Sequence, residues 1–325
     1  TVVEGILARV CLWRAGEPSK GGKPYYEKAA KYAKAVYDSK KHKLNPDVYA
    51  MWQALASDQY ETTYNESMWE VEFVGTRDDG SYTESRIGNV IGNLQENSAG
   101  TGAGYTYAFY AGSLILWDLY DAKDARRDLA MAPYKLNNKD VQVAWKDNQI
   151  VDRRCGKYRR EWESSSPKHK NYTQENYCLL RYADVLLMLA EAENEANQGP
   201  TALAYTCINE VRKRAYGSDY EANKYTEGNY AENELAILHE RDKEFVWEGK
   251  RWFDVVRMHD ANGKSLAFSA TANYPADKSI LDPSEEYKLL WPIDVDVMSV
   301  NPLLKQTPGC LLYTSPSPRD RSVSR

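Results

Sequence analysis

Between Leu179 and Met258 the chain repeats one pattern, an apolar helical stripe followed by a stop. In LLRYADVLLMLAEAENEANQGP, Leu179, Ala183, Leu186, Leu187 and Ala190 recur at three- and four-residue spacing. That spacing sets them on one helical face. Tyr182, Val185 and Leu189 cover a second face, so this helix is expected to be buried on more than one side. Gly199-Pro200 stops it, because glycine relaxes the backbone and proline cannot continue a helix. A second stripe follows, Ala202, Tyr205, Ile208, Val211 and Ala215, and ends at Gly217. Two antiparallel helices joined by a tight turn over about 34 residues make a tetratricopeptide-like unit. A third helix is expected with Leu235, Leu238, Phe245, Val246 and Phe253 on its inner side.

Four segments, RYADVLLMLAEAENE, CINEVRKRA, HERDKEFVWEGKRWFDVVRM and LLWPIDVDVMSVNPLLKQTPG, resemble in order the C-terminal half of the SusD/RagB family. These are surface glycan-binding lipoproteins of Gram-negative gut-type bacteria. Ordered agreement of several segments is harder to reach by chance than one short pattern. The resemblance covers Thr1 to Gly309 and is clearest beyond Asn176. It implies a mainly α fold of tetratricopeptide-like repeats with long irregular loops and short strands inserted. It implies one binding domain over 1–309 that captures oligosaccharide without catalysis or cofactor. It further implies delivery to a TonB-dependent, SusC-like transporter, and an outer-membrane, outward-facing location through an N-terminal lipid anchor. Thr1 begins inside a helix, so the resemblance places that anchor and further helices before this sequence; Cys11, mid-helix, is not expected to carry the lipid. CLLYTSPSPRD, from Cys310, matches a translated sequencing-adapter frame, so 310–325 is expected to be an adapter-derived or disordered tail.

The 325 residues suffice for a sizeable core without disulfides. A net charge of −5 argues against a nucleic-acid partner, which calls for a basic patch. No stretch approaches a transmembrane span. The five cysteines show no CxxC and no pairing pattern; Cys11, Cys178 and Cys207 sit in apolar helical stripes and read as small core residues. There are 25 Tyr and 9 Trp against 5 Phe. Tyr and Trp pair a flat apolar face with a polar tip, which suits stacking on sugars, although most of the tyrosines are expected in the core.

Val2–Trp13 and Tyr25–Ser39 read as a first helix pair, with Ala29, Ala30, Ala33 and Val36 as a small-residue face. Val48–Ser57 reads as a short helix and Ser67–Phe73 as a strand. Gly75–Gly104 is a long polar excursion, and such loops in compact domains tend to be functional or disordered. Its continuation, GAGYTYAFYAG, sets Tyr105, Tyr107 and Tyr110 beside glycines that let a ligand approach. Leu114–Tyr120 reads as a helix before a charge-pairing Asp124-x-Arg126 element. A second polar excursion, Pro133–Asn176, holds expected strands near Val141–Trp145 and Cys155–Trp162, where aromatics alternate with charges. The family draws ligand contacts from loops between repeats. The candidate ligand-binding residues are therefore Arg77, Tyr82, Arg86, Tyr105, Tyr107, Trp145, Tyr158 and Trp162. Asn262–Glu286 reads as a loop and Leu289–Gly309 as an extended closing segment.

His239-Glu240 opens an HExxH-like pattern, but position 243 is lysine, so the second zinc ligand is missing. Glu240, Glu244 and Glu248 recur at one-turn spacing with Arg241, Lys243, Lys250 and Arg251 interleaved, which reads as a charge network. Two other functions stay open at this point. One is a protein–protein interaction scaffold of helical repeats. The other is a glycoside hydrolase using carboxylates such as Glu240 and Glu244.

Overall fold

Helices α1 (Val2–Ala15) and α2 (Lys23–Ser39) form an antiparallel pair. Ala8, Ala29 and Ala33 are wholly buried within it, and their one-carbon side chains let the helices close on one another. After α3 (Ala50–Ser57) comes β1 (Ser67–Val71). The chain then runs through α4 (Ile87–Ile91), α5 (Leu114–Leu119), α6 (Arg127–Ala130) and a hairpin of β2 (Tyr134–Leu136) with β3 (Gln142–Ala144). It reaches β4 (Tyr177–Arg181), which pairs antiparallel with β1, Val71 opposite Tyr177. β4 leads directly into α7 (Tyr182–Asn197), followed by α8 (Ala202–Tyr216), α9 (Tyr220–Asn223), α10 (Tyr230–Phe245), α11 (Arg251–Arg257) and α12 (Val295–Val300). This computed structural model describes all residues except 74–84, 98–101, 103, 165–167, 169, 227, 261, 270–280, 302 and 309–325.

α7 is the centre of the core. Val185, Leu186, Leu187, Leu189 and Ala190 have no exposed surface, because α1, α2, α8 and α10 all pack around it. Each such leucine contributes about 1.5–3 kcal/mol by leaving water. The helix ends are specified locally. The Thr201 hydroxyl accepts from the Ala204 N–H at 3.1 Å, and Asn229 with Glu232 form a reciprocal capping box on α10. The result is the mainly α, tetratricopeptide-like arrangement with irregular insertions that the sequence implies.

Several boundaries differ from the sequence reading. The helix expected from Leu179 begins at Tyr182, and Leu179 and Leu180 belong to β4. A buried strand running into a buried helix makes one apolar stretch that periodicity cannot divide; only pairing with β1 divides it. Cys178 is accordingly a buried strand residue, while Cys11 and Cys207 are helical; these and Cys155 are free thiols. The third helix splits into α10 and α11, because Trp247 and Gly249 both take φ of 69°, a left-handed conformation no helix continues through. Leu238 and Phe245 face the core, Leu235 and Val246 are half-buried, and Phe253 is exposed against Trp13. No strand forms over Cys155–Trp162. Arg159 and Arg160 reach inward to carbonyl oxygens there, and the stretch ends in a 3₁₀ turn. The closing segment, expected to be extended, contains α12, capped by Asp294. The expected tail, 310–325, lies outside the described residues.

Candidate functional site

The segment after Gly104 crosses the surface in extended form. Thr106 and Ala108 face inward, while Tyr105, Tyr107 and Phe109 face outward, the two-residue alternation of a strand. The backbone is held on α4, where the N–H of Tyr107 donates to the Asn89 carbonyl at 2.7 Å and that of Phe109 to the Val90 carbonyl at 3.0 Å. Ala108 takes φ of 47°, a left-handed bend that breaks the alternation and leaves consecutive Phe109 and Tyr110 both exposed.

These rings form a shelf. Tyr107 and Phe109 stack with centroids 5.1 Å apart and planes within 10°, and Tyr105 meets Tyr107 edge-on at 5.0 Å. Since Tyr107 covers one face of Phe109, the free stacking surface is the other face of Phe109, whose residue is 67% exposed. Polar groups border the rings. The Lys170 ammonium lies 5.6 Å from the Tyr105 ring, and the Tyr107 hydroxyl donates to Asn171 Oδ1 at 3.5 Å.

A buried clamp fixes the shelf from below. Asn89, fully buried, donates through Nδ2 to the carbonyls of Tyr105 at 3.0 Å and Lys170 at 3.1 Å. Arg160, 2% exposed, donates to the same two carbonyls at 2.6 and 3.1 Å, and to that of Tyr172 at 3.0 Å. Its charge is paired with Glu163 at 2.8 Å. Gly104 sits against the guanidinium with φ of +90°, and a Cβ there would come within 2.8 Å of Arg160 Cζ. Beneath lies Glu175, 1% exposed, facing Glu163 and Arg160. Burial, then Glu163, pushes its carboxyl well above the usual range despite Arg160.

The residues expected from sequence divide. Tyr105 and Tyr107 belong to the shelf, and Arg86 is exposed at the start of α4. Trp162 is half-buried, with the Arg159 guanidinium 4.8 Å from its ring. Trp145 and Tyr158 are buried, which contradicts their reading as exposed aromatics. Tyr158 packs edge-on against Trp52 at 5.6 Å, and Lys135 covers Trp145 at 5.1 Å. The charges beside Tyr158 suggested solvent, yet Lys157 turns inward to Glu248 at 2.6 Å. Arg77 and Tyr82 lie outside the described residues. Sequence reasoning missed Phe109, Lys170 and Asn171. The aromatic alternation of GYTYAFYAG signals Phe109, but favouring polar-tipped rings passed over it.

The carboxylates offered for hydrolysis are sealed in the core. Arg126 Nη1 donates to Glu240 at 2.7 Å and to Glu244 at 3.0 Å, and both residues are under 5% exposed. Burial alone would raise the Glu244 carboxyl, but Arg214, Arg181 and Arg126 hold it well below the usual range. His239 is pushed down to about 4 by burial and by Arg251 and Lys243. Among the described residues no group of acidic, His or Cys side chains could hold a metal ion, and no helix is long and apolar enough to cross a membrane.

The family model described as the SusD family matches residues 134–309, more than half of the chain. SusD-like protein P2 of Formosa agariphila is 27% identical over 252 residues, covering 73% of this chain and 48% of that protein. The chain thus spans about half the length of this curated relative. A SusD homolog from Bacteroides thetaiotaomicron superposes with a TM-score of 0.73 at 25% identity, covering 95% of this chain and 63% of that one. Surface glycan-binding protein A from the same species, solved with laminarihexaose, gives a TM-score of 0.61 at 20% identity, over 92% of this chain and 62% of that one, which is a likeness of fold.

Proposed function

The chain belongs to the SusD family, and from that premise we propose that it captures oligosaccharide on its aromatic shelf, without altering it chemically. The single observation behind this reading is the open Tyr105–Tyr107–Phe109 surface mounted on a buried Asn89–Arg160 clamp. A sugar presents C–H patches ringed by hydroxyls. The patches stack on the free face of Phe109, and the hydroxyls meet Lys170, Asn171 and the tyrosine hydroxyls. Each stack contributes on the order of 1 kcal/mol. Millimolar to micromolar affinity needs about 4–8 kcal/mol, so a few rings and several hydrogen bonds suffice. Weak capture suits a protein that passes its cargo on. In this reading the cargo goes to a SusC-like TonB-dependent transporter, and the whole protein is held at the cell surface of the outer membrane by a lipid anchor.

The test is a glycan array followed by titration calorimetry, with laminarihexaose as the first probe because a protein of this fold is solved with it. Phe109→Ala is expected to weaken binding about tenfold, equivalent to about 1.4 kcal/mol. Unchanged affinity in Phe109→Ala and Tyr107→Ala would remove the shelf from the function.

A further inference from the structure

Away from the shelf, a cleft of about 160 Å³ opens between α1, the start of α7 and the turn joining α10 to α11. Asp184, 1% exposed, lies in it and gathers three cations. Arg9 reaches its Oδ2 at 2.6 Å, Lys250 the same oxygen at 3.2 Å, and Arg241 its Oδ1 at 3.0 Å. Arg241 also pairs with Asp254, and Arg257 with Asp254 and Glu191. Glu248 on the same wall is taken up by Arg181 and Lys157. The local group therefore sets four cations, Arg9, Arg241, Lys250 and Arg257, against three carboxylates, Asp184, Asp254 and Glu191. Among the described residues one positive charge is left over.

The surplus sits at the mouth. The side chains of Arg9 and Lys250 are 18% and 15% exposed, whereas those of Arg241 and Arg257 are both 3% exposed. Lys250 donates to Asp184 and lies 5.5 Å from the Phe245 ring, and among the described residues no second oxygen accepts from its ammonium. Arg257 Nε, buried and lining the cleft, has no hydrogen-bond acceptor among them. The opposite character is supplied by Trp13 and Phe253, whose rings stack 4.9 Å apart and remain 42% and 43% exposed. Pockets for drug-sized guests run to about 300–1,000 Å³, so this one is sized for a single ring.

We propose that this cleft is a second binding site, for a monosaccharide unit bearing a carboxylate, such as a uronic acid. The C–H face of the sugar lies against the Trp13–Phe253 wall, and its carboxylate is received by Lys250 and Arg9. The site is separate from the shelf and does not rest on the reading given to it.

Titration of the whole chain with glucuronate, glucose and acetate, by ligand-observed NMR, decides the matter. Glucuronate is expected to bind at least about tenfold more tightly than either glucose or acetate, and to weaken as salt rises, because the rim charges are partly exposed. Lys250→Ala is expected to abolish the preference over glucose and Phe253→Ala the preference over acetate, while Phe109→Ala leaves both intact. Phe253 is exposed, so its variant keeps the test open should Lys250→Ala fold poorly. Absence of glucuronate binding, equal binding of glucose, equal binding of acetate, or loss of binding in Phe109→Ala each overturns the proposal. The last outcome would move the uronate to the shelf, whose own test with neutral oligosaccharide stands apart.

Discussion

Arg160 donates to the backbone carbonyl of Tyr105 at 2.6 Å, across 55 residues of sequence, from a position almost wholly out of solvent. The bond ties the second polar excursion to the continuation of the first, and within the second the same guanidinium also holds the carbonyls of Lys170 and Tyr172. Removing it in Arg160→Ala leaves Glu163 buried without its cation and three carbonyls without this donor. The expected loss of stability is about 3–5 kcal/mol, measured by urea denaturation. Arg160→Lys keeps the charge but not the planar fork, so it is expected to recover part of the stability and little of the oligosaccharide affinity.

Exposed and buried aromatics should separate cleanly. Phe109→Ala removes an open ring and is expected to shift the melting temperature little while weakening ligand binding. Tyr158→Ala opens a cavity beside Trp52 and is expected to cost about 3–5 kcal/mol. Thermal melts and calorimetry on both variants check this; a destabilised Phe109→Ala would mean the shelf is part of the core.

Glu175 predicts a pH dependence. It faces Glu163, Glu161 and Arg160 in a buried site, and its carboxyl holds its proton more tightly in the fold than in the unfolded chain. Stability resting on that proton is complete below the unfolded value of about 4.3 and declines as pH rises toward the folded value. Glu175→Gln removes the titration. Its melting temperature relative to the parent is therefore expected to be higher at pH 8 than at pH 4.5. The same difference at both pH values would contradict the assignment.

Glu244 is the junction of the core ion network. Arg126, Arg181 and Arg214 all pair with its carboxylate. Glu244→Ala leaves these guanidiniums facing one another with a carboxylate gone, and is expected to cost about 3–5 kcal/mol or to prevent folding. Glu232→Ala, at an exposed cap, is expected to cost about 1 kcal/mol by comparison. Denaturant midpoints of the two variants make the comparison.

The helical stripes of α7 and α8 were legible because a 3.6-residue period is written in neighbouring letters. So was the presence of a charge network at Glu240, Glu244 and Glu248. Its partners were not, since Arg126 and Arg181 come from segments 118 and 63 residues away from Glu244. The same distance effect misplaced Tyr158. Lys157 beside it looked like a solvent marker, yet its acceptor is Glu248, 91 residues on.

By itself, then, the sequence determined the apolar stripes of α7 and α8, where those two helices stop, and the ordered segments that mark the family. The tertiary structure alone decided which rings meet solvent, where the strand of Leu180 gives way to helix, and which carboxylates are sealed. The physical reason is reach: periodicity and capping act within a few residues, whereas burial and ion pairing depend on which distant segments the fold brings together.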